Sequence, residues 1–510
     1  MRKLGSESIW PLFLLVTLGG LIRLWRLGSF PPGLYFDEVN YGLDSYSVLN
    51  TGRDLYGHFL PLTFQSSGYY PPLYTYVLVP FLAIFGLSEM VVRLPSTIAG
   101  ILTIVGVYLM AKELVGRKTS FIPLIATGLV TFSPWHIHLS RVAFLGGFGL
   151  PFVIFGIYFL IISKRRILIK ILGAFLLAIS IFAHYGYLLL SPAIFLIIFF
   201  PDFQRIRKQK WAILSFLIIW VLAFTLYLVS YKKYNLAFRV NELSKNNVIK
   251  ITSNYLETYS FDFLFKSGES FRLNNPWGKG QLQLILFPFL ILGLLRLGKL
   301  KRSSMLLILT FLILVPLPSA VAGLGKHAVR NSPMIVPLVI LISLGFEYLI
   351  SMPRSKLAKL ALLITIVGFL LETGADIRYY FVTYPKNFGY LWGKPVREAV
   401  NFGLERQKDY DAIIFTDTYN VTLSYFAFGT QFSPEKLQNT ILNPTTINGL
   451  PTKKVQNLYF VATEELSDKV FYKNLPPKTL LVDPILYIKS GALKQVAEDN
   501  RLMFQYLEIN

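Results

Sequence analysis

The chain has 510 residues, 54% of them hydrophobic and only 15% charged, with a mean hydropathy of +0.52. Soluble domains carry about 25% charged residues, so this composition excludes an ordinary water-soluble protein and points to an integral membrane protein. The net charge of +22 does not mark a nucleic-acid binder, because Lys and Arg form short clusters between apolar runs, as the positive-inside bias produces. With no cysteine, disulfides, thiolate chemistry and Cys-ligated metal are all excluded.

The first apolar run, "IWPLFLLVTLGGLIRLW" (9–25), has no small-residue cleavage site behind it and reads as a retained anchor. About ten positions beyond it comes "YFDEVNYGLDSY" (35–46), where Asp37 and Glu38 stand among aromatics. Two readings of this pair stay open. It is either a helix cap or solvated loop pair, or a carboxylate near apolar surface that can take a proton from a hydroxyl. "TGRDLYGHFLPLTFQSSGYYPPLYTY" (51–76) then mixes turn glycines, prolines, charges and interfacial tyrosines, too structured in its punctuation for a tether.

"PPLYTYVLVPFLAIFG" (71–86) is only 16 residues long and carries a third proline, Pro80. If it spanned, the basic segments 112–118, 163–170, 204–210, 296–302 and 353–359 would all fall outside. If it lies at the interface, all five become cytoplasmic together with Arg2 and Lys3, and that arrangement fits the charge rule. The spans are then 9–25, 93–112, 119–137, 147–163, 167–184, 187–201, 211–230, 283–297, 304–322, 333–350 and 357–373. The N-terminus is inside and the C-terminus outside. Outward stretches fall at 26–92, 231–282 and 323–331, the last reading "GLGKHAVRN". Ionisable residues collect in these stretches while the spans hold almost none, which favours surface chemistry over a transporter.

After residue 374 the composition changes. "GKPVREAVNFGLERQ" (393–407) has helical spacing, and "DAIIFTD" (411–417), "NLYFVAT" (457–463) and "KTLLVDP" (478–484) are short runs of strand formers. The expected fold class is an α-helical polytopic membrane protein with about eleven transmembrane helices and outer juxtamembrane helices over 1–373. A small extracytoplasmic α/β domain follows over 374–510. There is no internal repeat and no G-x-G-x-x-G or phosphate-loop element for a nucleotide. His136 and His138 in "HIH" point apart on a helix, with no carboxylate close by in sequence, which argues against a metal. "NVT" (420–422) fits a glycosylation sequon.

Several of these segments together resemble the GT-C glycosyltransferases that use polyprenyl-phosphate sugars, the family 39 group with the protein O-mannosyltransferases and the aminoarabinose transferase of lipid A. They are "FDE" (36–38) with Tyr41, "TGRDLYGHFLPL" (51–62), "PPLYTYVLVPFLAIFGLSEMVVRLPSTIAG" (71–100) with Arg93, "SPWHIHLSR" (133–141), "HAVRNSPMIVPL" (327–338) and "GKPVREAVNF" (393–402). The resemblance implies that Asp37 is the base that deprotonates an acceptor hydroxyl. That oxygen attacks the anomeric carbon in a single, inverting displacement of polyprenyl phosphate. It implies that Glu38 positions Asp37 or the acceptor, and that Tyr41 lines the pocket. Arg53, Asp54, His58, Tyr69, Tyr70, Arg93, Arg141, His327 and Arg330 are the further residues expected at the substrate. Among these Arg93, Arg141, His327 and Arg330, with Lys326, are candidate cations for the departing phosphate, each with snorkelling to the interface as its alternative.

Two departures stand out. Many relatives carry a Lys directly before "PP", where this chain has Tyr70, and the acidic residue usual a few positions after "SPWHIHLSR" is missing from "VAFLGGFGL". The implied donor is a polyprenyl-phosphate sugar and the acceptor a lipid, protein or glycan. Membrane lipids are the surrounding partners, with no metal, cofactor or nucleic acid. The implied setting is a bacterial or archaeal plasma membrane. A polyprenyl-lipid or polysaccharide transporter, and a polymerase or ligase using lipid-diphosphate glycans, are the alternatives; the accepted donor separates the last from the first.

Overall fold

The computed structural model describes all residues except 1–8, 117–120, 164–165, 200–209, 234–246, 353–354, 418–419, 463–474, 485–493, 499–500 and 510. The basic segment 204–210, apart from Lys210, and part of the outer stretch 231–282 therefore lie outside the described residues. The chain divides into two compact units, Met1–Leu27 with Leu94–Tyr384, and Gly28–Arg93 with Pro385–Asn510.

The first unit is helical. Among the described residues, six helices are long and apolar enough to cross a membrane: Glu89–Val115, Leu145–Ile162, Lys210–Val229, Arg302–Val321, Ser332–Ile350 and Lys356–Trp392. The other expected spans are helical but shorter. They are α1 (Trp10–Leu24), Ile122–Phe132, Ile167–Phe182, Tyr187–Ile198 and Phe287–Arg296. The expected span 119–137 ends early for a local reason. Ser133 precedes Pro134 and is pushed into extended backbone (φ −62°, ψ 121°), so the helix stops at Phe132 and "PWHIHLSR" forms its own eight-residue helix. The Ser133 hydroxyl then caps that new helix by accepting the His136 N–H. Phe287–Arg296 and Ile335–Ile350 approach backbone to backbone, because a Cβ on Gly293 would stand 1.8 Å from the Leu341 carbonyl and one on Gly345 2.1 Å from that of Phe289.

The boundary expected at 373/374 falls inside one continuous helix, Lys356–Arg378. Polar residues do not end it, because Lys279 reaches both Glu372 and Asp376 at 2.7 Å and the Trp277 indole donates to the Asp376 carbonyl. The stretch 28–93, expected to belong with the transmembrane domain, instead makes one unit with the C-terminal region.

In that second unit α2 (Phe36–Thr51) is the central helix, buried on most sides from Glu38 to Val48 and ended by Gly52 in the left-handed region (φ 68°). α3 (Leu73–Phe85) packs on it. Thirteen residues of helix are about 20 Å long, short of a hydrocarbon core of about 30 Å. α1 is hardly longer, so length alone does not separate them; α3 belongs with the polar segment around α2, whereas α1 packs among the apolar helices of the first unit.

Among the described residues the C-terminal part is a seven-stranded mixed sheet of order β2-β3-β4-β1-β5-β7-β6. Its strands are β1 (Ala412–Thr416), β2 (Thr445–Ile447), β3 (Leu450–Val455), β4 (Leu458–Val461), β5 (Thr479–Asp483), β6 (Lys494–Glu498) and β7 (Arg501–Ile509). β1 lies between β4 and β5 and is parallel to both; the remaining pairs are antiparallel. Ile414, Ile447, Val461 and Leu481 form a core on the sheet. The helices Lys394–Glu405, Val421–Gly429 and Pro434–Leu442 accompany it, and the last two pack on α2.

Candidate active site

The first turn of α2 is built around a buried ion pair. The Glu38 carboxylate accepts the Tyr35 N–H at the helix start (3.0 Å), Arg93 Nε through Oε1 (3.0 Å) and Arg93 Nη2 through Oε2 (3.0 Å). The same guanidinium donates to the carbonyls of Pro31 (2.8 Å) and Gly33 (2.5 Å) and lies over the Trp392 ring. Both side chains of the pair are 0% exposed. Gly33 is needed here, since its φ is +90° and a Cβ would stand 2.5 Å from the Trp392 carbonyl. Glu38 and Arg93, expected at the substrate, are thus committed to each other and to the 31–38 turn.

Asp37, one residue earlier, is half-buried. It sits in the first turn of α2, where the helix dipole favours a carboxylate. Its charge is close enough to Tyr35 and Tyr41 to add to the upward shift that burial imposes on both phenols.

A second network holds the following loop. Asp44 is fully buried and accepts the Leu55 N–H (3.1 Å), the Tyr70 hydroxyl (2.7 Å) and the Ser66 hydroxyl. Tyr70, the residue standing where many relatives carry Lys, is turned inward with 4% exposure. Its ring contacts Tyr41 (4.5 Å) and stacks on Phe64 (5.4 Å). Tyr41 is buried in that cluster and also contacts Tyr74. Tyr70, expected at the substrate, is therefore turned onto the buried Asp44 acceptor, and Tyr41, expected in the pocket lining, packs against its ring. Asp54 is spent as well. It accepts the Tyr56 and His58 N–H groups and pairs with His58 Nδ1 at 2.9 Å. His58 keeps 37% of its side chain exposed, and Arg53 is exposed with its guanidinium on the Gly57 carbonyl. Tyr69 is half-buried and holds φ +64°, a strained backbone for an aromatic residue and one that clusters at functional positions.

Burial raises the Asp44 carboxyl to about 7 against its three hydrogen bonds. The native state therefore holds a proton that the unfolded chain has lost above about pH 4, so this group makes stability fall as pH rises from about 4 to about 7. Thermal unfolding of the protein between pH 5 and 8 should lose stability faster than that of Asp44→Asn, whose side chain does not titrate. Equal slopes would show that Asp44 is ionised in the fold.

Residues of the C-terminal region also hold α2, and no sequence signal marked Ser424, Tyr425 or Gln438 among them. Asn40 donates to the Ser66 carbonyl and the Ser67 hydroxyl and accepts from the Ser424 hydroxyl (2.9 Å). Tyr425 donates to the Leu34 carbonyl (2.6 Å), and Gly393 must be glycine because a Cβ would stand 1.8 Å from the Tyr425 hydroxyl at φ +71°. Gln438 donates to Ser47, Thr51 and the Asp54 carbonyl. The sequon is closed in the fold, with Thr422 buried on the Thr416 carbonyl and Asn420 bonded to Tyr56 and Lys453.

In the first unit, Arg141 is fully buried and donates to the carbonyls of Ile22 (2.7 Å), Arg23 (2.8 Å) and Trp25 (2.8 Å), closing the C-terminal end of α1. This corrects its expected place at a phosphate. Arg23, also fully buried, does the same for Val130 and Thr131 at the end of Ile122–Phe132 and meets His136 Nδ1 at 2.7 Å. The expectation of almost no charge within the spans therefore has an exception, explained by carbonyls that a helix end leaves unpaired. His138 turns elsewhere, to the Tyr380 hydroxyl (3.0 Å) and the Leu273 carbonyl (2.7 Å).

The 323–331 turn carries a cluster. Glu269 accepts the Ala328 N–H (2.6 Å) and Asn274 (2.8 Å) and lies 3.9 Å from His327. Burial raises Glu269 to about 7, while burial and the Arg330 charge push His327 down to about 3. His327 is therefore neutral at physiological pH, and Arg330, half-buried, is the charged member beside it. Lys326 is paired with Asp262.

Residues 70–229 match the family described as dolichyl-phosphate-mannose-protein mannosyltransferase. No curated protein matches the chain in sequence. Among solved structures, ArnT from Cupriavidus metallidurans bound to undecaprenyl phosphate aligns over 98% of this chain and 98% of its own at 14% identity and a TM-score of 0.56. The apo form of the same protein aligns over 99% and 98% at 13% identity and the same TM-score of 0.56. The oligosaccharyltransferase of Archaeoglobus fulgidus aligns over 83% and 64% at 14% identity and a TM-score of 0.49. Over residues 70–229 the chain is thus similar in sequence to the dolichyl-phosphate-mannose-protein mannosyltransferase family, and over nearly its whole length it is similar in fold to ArnT.

Proposed function

We propose that the protein is an inverting membrane glycosyltransferase that moves a monosaccharide from a polyprenyl-phosphate carrier to an acceptor hydroxyl, with Asp37 as the base. The observation that carries this reading is the place of Asp37, half-buried in the first turn of α2 and directly beside the buried Glu38–Arg93 pair that fixes that turn. Two likenesses support the donor class. The family matched over 70–229 is named for a dolichyl-phosphate sugar, and the similarly folded ArnT binds undecaprenyl phosphate. In the step, the acceptor oxygen bonds the anomeric carbon as its proton passes to Asp37. The bond from that carbon to the phosphate oxygen breaks, and its electron pair leaves with polyprenyl phosphate. Nothing in this displacement requires a metal or a nucleotide. The α2 side is expected to face the extracytoplasmic leaflet, with the N-terminus in the cytoplasm.

With Arg93 and Arg141 turned inward, Arg330 is the expected residue that supports the test of phosphate binding. Membranes bearing the protein should transfer label from a polyprenyl-phosphate hexose and not from a polyprenyl-diphosphate oligosaccharide. Arg330→Ala should lower that transfer by on the order of 10²-fold, as loss of one charge-stabilising donor does. Arg141→Ala should instead lower the unfolding temperature. Transfer from the diphosphate donor alone would move the protein to the polymerase or ligase class.

A further inference from the structure

At the end of the Ser332–Ile350 helix opposite Arg330, the first unit opens a cavity of about 510 Å³. Its lining on that helix begins at Leu344, about 20 Å of helix beyond the 323–331 turn, so it is a separate site. Its wall combines Arg296, Lys299, Glu347 and Tyr348 with apolar side chains that include Val115, Phe121 and Leu344. The Arg296 guanidinium lies 3.7 Å from the Tyr348 ring centroid, which fixes a planar donor fork at the rim. Among the described lining residues one carboxylate, Glu347, stands against two cations, Arg296 and Lys299. Lys301 adds charge nearby, its Nζ standing 3.3 Å from where a Cβ on Gly116 would be. The carbonyl ends of Glu89–Val115, Phe287–Arg296 and Ile335–Ile350 attract some basic residues here on their own. They do not explain a guanidinium held on an aromatic face beside an apolar hollow. That pairing of a cationic rim with an apolar wall matches an anionic lipid, whose phosphate meets the cations while its glycerol and first acyl carbons fill the hollow.

We propose that this cavity is a binding site for the phosphate headgroup of an anionic phospholipid from the adjoining leaflet, held by Arg296 and Lys299 with Tyr348 orienting the guanidinium. The inference is independent of the transfer reaction. It is tested on the purified full-length protein in neutral detergent, by native mass spectrometry and thermal unfolding with added phosphatidylglycerol, phosphatidylcholine or inorganic phosphate. Phosphatidylglycerol should form discrete adducts and raise the unfolding temperature, and phosphatidylcholine and free phosphate should not. Arg296→Gln with Lys299→Gln should weaken binding roughly thirty-fold, taking each surface cation at its ordinary worth. Lys356→Gln with Lys359→Gln removes the same charge from another helix and should leave binding unchanged. Equal binding of both phospholipids, equal stabilisation by free phosphate, unchanged adducts in the Arg296/Lys299 variant, or equal losses in the two variants would each overturn the site.

Discussion

Asp37→Asn is expected to cut sugar transfer by about 10²- to 10⁴-fold, the usual worth of a positioned general base. The substitution keeps the shape and the half-buried position, and asparagine is acceptable in the first turn of a helix, so the fold should be untouched. What disappears is the ability to take a proton from the acceptor oxygen. The loss should therefore appear in kcat, with donor binding and protein level retained, and a label-transfer assay on membranes with matched expression separates these quantities. Full activity in Asp37→Asn would remove this carboxylate from the mechanism and leave the α2 turn without a chemical role.

The helical part of the fold was legible because bilayer-length apolar runs and basic loops are strong, additive signals. Among the described residues each expected span contains a helix, yet their lengths differ, and the Ser133–Pro134 break shows how one local rule shortens a run that hydropathy alone extends. The sheet was legible only at its centre. β1 and β5 are buried along every residue and β4 along nearly all, so they read as continuous apolar runs. β3, β6 and β7 mix Lys, Gln and Glu into their patterns, as in "LPTKKV" and "KQVAE", and β2 is only three residues long, which hides them among turns. The association of 28–93 with the C-terminal region rests on contacts more than 300 residues apart, such as Asn40 with Ser424, and no local pattern announces those.

The candidate site was legible in position more than in roles. An acidic pair just past a membrane run drew attention to Asp37 and Glu38, but the sequence could not say that Glu38 is held in a buried ion pair. That depends on Arg93, 55 residues away, and on the carbonyls of Pro31 and Gly33. Arg141 misled for a related reason. A cation in an outer motif looks available for phosphate, whereas helix ends inside an apolar bundle also need donors, and only the folded chain shows which need is met. Tyr70 has a packing role that the sequence did not announce. Tyrosine brings a hydroxyl to the buried Asp44, where a Lys ammonium would have brought a full charge.

Arg93→Ala is expected to lower stability by about 3–5 kcal/mol, because it leaves the Glu38 carboxylate buried with neither its countercharge nor two of its three donors. Arg93→Lys should recover little, since an ammonium cannot bond Nε- and Nη2-fashion to both carboxylate oxygens while also reaching the carbonyls of Pro31 and Gly33. Adding Glu38→Gln to Arg93→Ala should restore part of the loss by removing the uncompensated charge, so the double variant should unfold at a higher temperature than Arg93→Ala alone. Thermal unfolding in detergent measures this order, and an unchanged unfolding temperature in Arg93→Ala would show that the pair carries no load. The same variants bear on transfer. Glu38 follows Asp37 directly, so loosening the 31–38 turn lets the base wander from its acceptor. Activity measured well below each variant's unfolding temperature should therefore drop in Arg93→Ala, even where the protein remains folded. A positioning role requires that drop, which stability alone does not.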